Sequence, residues 1–233
     1  MTLVLLVRHG LTATTGNVLT GWTPGIPLDD RGRQQAQALA ARLAPVALDA
    51  IISSPLERCR QTADAIAAHG EGRPGVQEDG RVGECRYGDW TGQPLKRLAR
   101  EPLWRVVQAH PSAARFPGED GESFMDMQHR AVTAVREWNE RLGAGAAYLI
   151  CSHGDVIKSI IADSLGMHLD MLQRIQVDPC SLTAIRYTPL RPFVLRMNDA
   201  GGVVDSLKKP EPRRSRGMAR REAEAAVGGG AGG

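Results

Sequence analysis

Three apolar runs, each ending abruptly in polar chemistry, dominate the hydrophobic pattern of the chain. The first is Leu3-Val-Leu-Leu-Val7, which stops at Arg8-His9-Gly10. The second, Leu48-Asp-Ala-Ile-Ile52, stops at Ser53-Ser-Pro-Leu-Glu-Arg58, and the third, Ala146–Cys151, stops at Ser152-His153-Gly154. Runs this short, without polar alternation, are the signature of strands buried on both faces. Helical periodicity separates them. Ala36, Leu39, Ala40 and Leu43 share one face of a helix that Asp29 can cap, and Ala131, Val135, Trp138 and Leu142 share a face of a longer one. Val156, Ile157, Ile160, Ile161 and Leu165 mark a third.

The run Ser54-Pro55-Leu56-Glu57 reads as a helix start, with Ser54 as cap, Pro55 in the first position and Glu57 closing a capping box. Arg58 then falls in the first helical turn. A further helix is predicted over Leu95–Ala109. Residues 11–28 and 70–92 show no periodicity, and an unstructured stretch of that length in a compact domain is usually functional. Leu182–Tyr187 and Phe193–Met197 read as a closing hairpin. Strands alternating with helices predict an α/β fold of three layers: a mostly parallel central sheet flanked by helices.

In such a sheet the ends of the three runs lie along one edge, where ligands bind. Arg8, His9, Arg58 and His153 therefore converge. Two guanidiniums offer bidentate contacts to phosphate oxygens, which an ammonium cannot match. Two imidazoles add a nucleophile and a charge-stabilising donor, and Glu84, in a glycine-flanked loop, is the candidate acid. His69, His110, His129 and His168 fall in polar or loop contexts and read as solvated. His9 and His153 have only Asp155 nearby and no third ligand at metal spacing, so no metal site is predicted.

Composition narrows the picture. The 233 residues suffice for one large domain, and no run approaches the roughly 18 apolar residues of a membrane span. No secretory leader is recognisable, and Cys59, Cys85, Cys151 and Cys180 lack metal or redox spacing, which predicts reduced thiols in a cytoplasmic protein. The net charge of +3 resides after residue 204, where seven Lys/Arg face four Asp/Glu, leaving 22 of each sign before it. The expected division is a domain over 1–204 and a basic, glycine-rich, disordered tail over 205–233. Nucleic acid is not the expected partner, since the folded part is neutral. An exposed edge strand and the aromatic loop around Trp104 permit a homodimer.

As a set, Val7-Arg-His-Gly10, Ser53-Ser-Pro-Leu-Glu-Arg-Cys-Arg-Gln-Thr-Ala63, Glu84 ahead of Tyr-Gly-Asp-Trp-Thr-Gly92, Gly121-Glu-Ser123 and Ser152-His-Gly154 resemble the histidine phosphatase superfamily, phosphoglycerate mutase-like branch. The resemblance spans residue 3 to about 190. It implies that His9 forms a phosphohistidine, that Arg8, Arg58 and His153 complete the phosphate pocket, and that Glu84 donates the proton. It implies no metal or dissociable cofactor for hydrolysis. Thr12, Asn17, Thr20, Gly21 and Gly154 are the implied substrate contacts.

Thr20-Gly21-Trp22 resembles a mutase motif. Against a mutase, Thr15 replaces the Asn expected six residues after the nucleophile, and Arg97, Arg100, Arg105 and Arg115 include no Arg-Arg pair. Gly88-Asp-Trp-Thr-Gly92 is closer to the phosphatases. The expectation is a phosphomonoesterase acting on a small phosphorylated metabolite. A mutase-type phosphotransferase and a non-catalytic phospho-ligand-binding module are the alternatives.

Overall fold

The computed structural model describes residues 1–70 and 72–201. The expected tail lies outside the described residues, which form eight strands and six α-helices. The strands are β1 (Thr2–Arg8), β2 (Val18–Leu19), β3 (Ala50–Ser53), β4 (Val76–Glu78), β5 (Gln93–Pro94), β6 (Ala147–Ser152), β7 (Leu182–Tyr187) and β8 (Pro192–Asp199). The helices are α1 (Asp30–Leu43), α2 (Glu57–Ala67), α3 (Leu95–Leu98), α4 (Pro102–Ala109), α5 (Phe124–Leu142) and α6 (Gly154–Ser164).

Six strands make the central sheet in the order β4-β3-β6-β1-β7-β8, and β2 pairs with β5 in a separate ribbon. The pairs β4–β3, β3–β6 and β6–β1 are parallel, whereas β7 and β8 run antiparallel. The three apolar runs therefore lie side by side, and their carboxyl ends share one edge.

The side-chain alternation of these strands feeds two cores. Val4, Leu6, Ile52 and Ile150 pack with Phe124, Trp138, Ile157 and Ile161 on the α5/α6 face. Leu5, Val7, Ile51 and Leu149 pack with Leu39, Leu43, Ala63 and Ile66 on the α1/α2 face. No helix among the described residues is long and apolar enough to cross a membrane.

Four expectations are corrected. The predicted capping box at Ser54 does not form. Leu56 occupies the cap position of α2 without a side-chain cap bond; the Ser54 hydroxyl, two residues too early, accepts from Leu56 N–H at 3.3 Å and lies 2.8 Å from His153 Nε2. Arg58 nonetheless stays in the first turn. The single helix over 95–109 is two, since Pro102 cannot donate to the preceding turn and disfavours helical backbone at Glu101. The stretch 70–92 contains β4, which adds to β3 in parallel as an edge strand. The stretch 11–28 contributes β2 to the ribbon.

Asp29 caps α1 as predicted, accepting from Gly32 N–H at 2.7 Å. A Cβ on Gly32 would lie 2.0 Å from the carbonyl oxygen of Leu11, and one on Gly10 would lie 2.6 Å from that of Gly32. Two glycines thus let α1 press directly on the segment that follows His9. An ordinary Gly→Ala change inside a helix gains about 0.5–1 kcal/mol. Here the backbone clash reverses the sign, and Gly32→Ala is expected to destabilise by about 1–3 kcal/mol, read as a lowered midpoint in thermal or urea unfolding.

Candidate active site

His9 leaves the end of β1 with its backbone N–H donating to Ser152 O at 3.0 Å, and Ser54 N–H donates to Cys151 O at the same distance. Backbone pairing thus continues past the strands and fixes where Arg8, His9, Ser54 and His153 emerge. Gly10 N–H donates to Thr62 Oγ1 in α2, whose hydroxyl donates to Arg58 O, so the His9-Gly10 segment and the Arg58 turn are tied together.

Hydrogen bonding defines the imidazoles. His9 Nδ1 lies 2.7 Å from its neighbour's carbonyl, Gly10 O. A carbonyl only accepts, so Nδ1 carries the proton and Nε2 keeps its lone pair. Arg58 Nε donates to that Nε2 at 3.3 Å, consistent with the same tautomer. Arg58 Nη2 donates to Gly21 O at 2.8 Å and stands 3.3 Å from His153 Nδ1. Guanidinium has no acceptor, so His153 receives at Nδ1 and donates from Nε2 to Ser54 Oγ. The two rings meet edge to face with centroids 5.2 Å apart.

Burial sets the charge states. Desolvation first, then the Arg58 guanidinium, hold both His9 and His153 well below the ordinary imidazole range, so both are neutral at neutral pH. Burial pushes the Glu84 carboxyl up to about 7, with the nearby Asp155 carboxylate adding to it and Arg58 opposing it. Glu84 Oε2 lies 3.6 Å from His153 Nδ1, and its Oε1 accepts from Cys85 N–H. The upward shift gives Glu84 access to both its acid and its carboxylate form near neutrality, the condition in which one carboxyl can act as both acid and base.

Arg8, His9, Arg58 and Glu84 line one cavity with Thr12, Thr15, Thr20, Gly21, Val18, Leu19, Tyr87 and Leu95 among its walls. His153 is wholly buried and stands behind that wall. Thr12, Thr20 and Gly21, named from sequence, are in place. Asn17 is exposed and outside the lining; its carbonyl accepts from Leu95 N–H instead, joining the strap to α3. Gly154 opens α6 and also lies outside the lining.

The threonines form a chain: Thr12 Oγ1 reaches Thr15 Oγ1 at 2.9 Å and Thr14 Oγ1 at 3.0 Å, and Thr14 reaches Thr20 at 2.9 Å. Sequence reading missed Thr15, Tyr87 and Leu95 as lining residues: the first two lie in loops with no periodic signal, and Leu95 opens the four-residue α3. Tyr87 OH donates to Asp155 Oδ2 at 2.8 Å beneath the site. Among the described residues no group of His, Cys, Asp or Glu is disposed to hold a metal ion. All four cysteines are free and buried, and desolvation raises the thiols of Cys85 and Cys151 far from reactivity.

A buried imidazole pair flanked by two guanidiniums and a protonatable carboxyl is an arrangement whose chemistry suits a phosphoryl group. The sequence profile of the histidine phosphatase superfamily (branch 1) matches residues 4–200. The chain belongs to that family. A protein from Yersinia pestis named "Probable phosphoglycerate mutase GpmB" is 32% identical over 187 residues, covering 79% of this chain and 84% of its own length. Among solved structures, Bacillus stearothermophilus YhfR superposes with a TM-score of 0.76 at 29% identity, covering 85% of this chain and 98% of its own. Phosphoserine phosphatase from Entamoeba histolytica, in a mutant form with phosphoserine bound, gives 0.75 at 25% identity, covering 86% and 98%. These likenesses agree with the mostly parallel sheet expected from the sequence.

The tautomers are directly observable. In nitrogen-15-labelled protein, long-range imidazole correlations are expected to show His9 neutral with its proton on Nδ1, and His153 neutral with its proton on Nε2, at pH 6. A His9 signal protonated on Nε2 would contradict the geometry.

Proposed function

We propose that this protein is a phosphomonoester hydrolase that works through a phosphohistidine at His9 on a small phosphorylated metabolite. The observation that carries this reading is the unprotonated Nε2 of His9, aimed by the Nδ1 contact to Gly10 O, touched by Arg58 Nε and set in one cavity with Arg8, Arg58 and Glu84. Nε2 attacks phosphorus, forming the N–P bond as the ester P–O bond breaks. Arg8 and Arg58 neutralise charge gathering on the equatorial oxygens, and His153 supports them from behind. Protonated Glu84 gives its proton to the departing alkoxide. The resulting carboxylate then takes a proton from the water that cleaves the N–P bond, which restores His9.

Mutase-type transfer is the competing reading, supported by the name of the Yersinia relative and by Thr20-Gly21 at the rim. A mutase must hold a substrate with a second anionic group. Among the described lining residues the only cations are Arg8 and Arg58, and Arg97, Arg100, Arg105 and Arg115 are not part of that lining. The walls instead offer threonine hydroxyls beside Val18, Leu19 and Leu95. This favours hydrolysis of a monophosphate whose remaining portion is neutral and hydroxyl-bearing. The complete set of Arg8, His9, Arg58, Glu84 and His153 argues against a purely binding role.

A phosphate-release screen over sugar phosphates, glycerol phosphates, phosphoglycerates and phosphoserine tests the proposal, with His9→Ala as the blank. Release that survives in His9→Ala would end the covalent mechanism. Interconversion of 2- and 3-phosphoglycerate far faster than phosphate release would replace the hydrolase with a mutase.

Glu84→Gln keeps the shape but has no proton to give, and is expected to lose about 10²–10⁴ in kcat. In the parent enzyme kcat/KM should fall as pH rises through about 7, because the acid form of Glu84 is lost there. That alkaline limb should be absent in Glu84→Gln, while any limb due to the substrate's own phosphate persists.

A further inference from the structure

We propose that Arg130 is a positioning residue for the acid, acting through the backbone of the Glu84 loop. This rests on the reading of Glu84 as general acid. Arg130 lies within α5 and touches none of the cavity, yet its guanidinium is almost enclosed, with the side chain 19% exposed. Each of its five N–H groups has a partner. Nη1 donates to Arg81 O at 2.6 Å and Gly83 O at 2.8 Å, and Nη2 donates to Glu84 O at 2.8 Å. The remaining two donors grip the Glu122 carboxylate in bidentate fashion, Nε to Oε2 at 3.0 Å and Nη2 to Oε1 at 2.6 Å.

Glu122 extends the grip. Its Oε1 also accepts from Arg86 N–H at 2.8 Å, and its own N–H donates to Arg86 O at 3.0 Å. The segment from Arg81 to Arg86 is thus held at both ends and in the middle by one ion pair. After the short turn Gly80–Val82 that segment has no regular secondary structure, so its carbonyls have no strand or helix partner of their own.

A second clamp comes from the rim of the cavity. Trp22 Nε1 donates to the same Glu84 carbonyl at 2.6 Å. A Cβ on Gly83 would stand 2.4 Å from the Trp22 ring, and the Arg86 guanidinium stacks over that ring at 4.5 Å. The carbonyl of Glu84 is therefore fixed from opposite sides, by a helix of the scaffold and by the Thr20-Gly21-Trp22 strap. With the main chain pinned there, the carboxyl projects to one place beside His153 and His9.

A lysine cannot reproduce this role: three donors on a point charge do not span three carbonyls and a carboxylate. Displacement of a reacting group by about 1 Å can cost about 100-fold. The loss should depend on the leaving group, because an alkoxide needs the proton from Glu84 and 4-nitrophenolate does not. The comparison uses kcat/KM, which reports formation of the phosphohistidine alone.

Glycerol phosphate and 4-nitrophenyl phosphate serve as probes, with parent, Arg130→Lys, Trp22→Phe and Glu84→Gln enzymes whose folding is checked by thermal unfolding. Arg130→Lys is expected to lose about tenfold to 100-fold with the alkyl ester and less than about threefold with the aryl ester. Trp22→Phe should show the same asymmetry at smaller size, which keeps the idea testable should Arg130→Lys not fold. Equal losses with both esters, or no loss with either, in both variants would overturn the positioning role. If Glu84→Gln itself loses both esters equally, the assignment of the acid fails, and the Arg130 proposal fails with it by a separate signature.

Discussion

The in-register parallel pairing of β1 with β6, and of β6 with β3, is the constraint on which the site depends. Arg8 stands opposite Ser152 and Ser53 opposite Cys151, so the chemistry-bearing residues one or two positions further on leave the sheet at the same level. The bonds from His9 N–H to Ser152 O and from Ser54 N–H to Cys151 O extend this alignment beyond the last paired residues. Slippage by one residue would turn every strand side chain to the opposite face and unmake both cores, so register and site geometry are enforced by the same burial. The apolar runs do more than supply a core: they set the positions of Arg8, His9, Ser54 and His153 to within a hydrogen bond.

Burying that many polar groups has an electrostatic consequence that serves the reaction. Desolvation drives imidazoles toward neutrality and carboxyls toward protonation, and both shifts go the way nucleophilic attack and acid catalysis require. Like charge reinforces them. Arg58 depresses both histidines, and Asp155, itself bonded by Tyr87 and 3.5 Å from Lys158, raises Glu84. In the proposed reaction the guanidiniums that would receive phosphate oxygens thus also keep the His9 imidazole unprotonated. A single arrangement of charge would then prepare both the phosphate site and the attacking nitrogen.

What could be read from the sequence follows from what leaves a periodic mark. The β1, β3 and β6 strands, the α1 helix with its Asp29 cap, and the convergence of Arg8, His9, Arg58, Glu84 and His153 were legible. Apolar runs and helical spacing carry their own signal, and the terminal motifs sit at fixed offsets from them. The Ser54 capping box does not form because α2 begins only at Glu57: the Ser54 hydroxyl reaches Leu56 N–H, and it also meets His153, a partner 99 residues away that local pattern does not show. β4 and the ribbon β2–β5 escaped because two- and three-residue strands are too short to show alternation. Arg130 and Trp22 escaped for another reason. Apart from the Glu122 carboxylate that Arg130 also holds, their hydrogen-bond acceptors are backbone carbonyls, which every residue possesses, so no residue pattern announces them. The expected tail over 205–233 lies outside the described residues.

The wall opposite the sheet is built by a different logic from the floor. The strap from Thr12 to Trp22 is held by a threonine hydroxyl chain, by Asn17 O receiving Leu95 N–H, by Arg58 Nη2 bonded to Gly21 O, and by Trp22 bonded to Glu84 O. The threonine chain ties the strap to itself and the Asn17 bond ties it to α3; the last two bonds tie it to Arg58 and to Glu84. A substrate that displaces the strap therefore also perturbs Arg58 and Glu84, so contacts made by the alcohol portion can influence the transition state as well as binding. Specificity in such a site is expressed in kcat/KM through the alignment of the acid, without a dedicated ionic clamp for the leaving group. A neutral, hydroxyl-bearing alcohol suits this wall, since it can exchange hydrogen bonds with the threonines without importing a second charge that the lining residues do not balance.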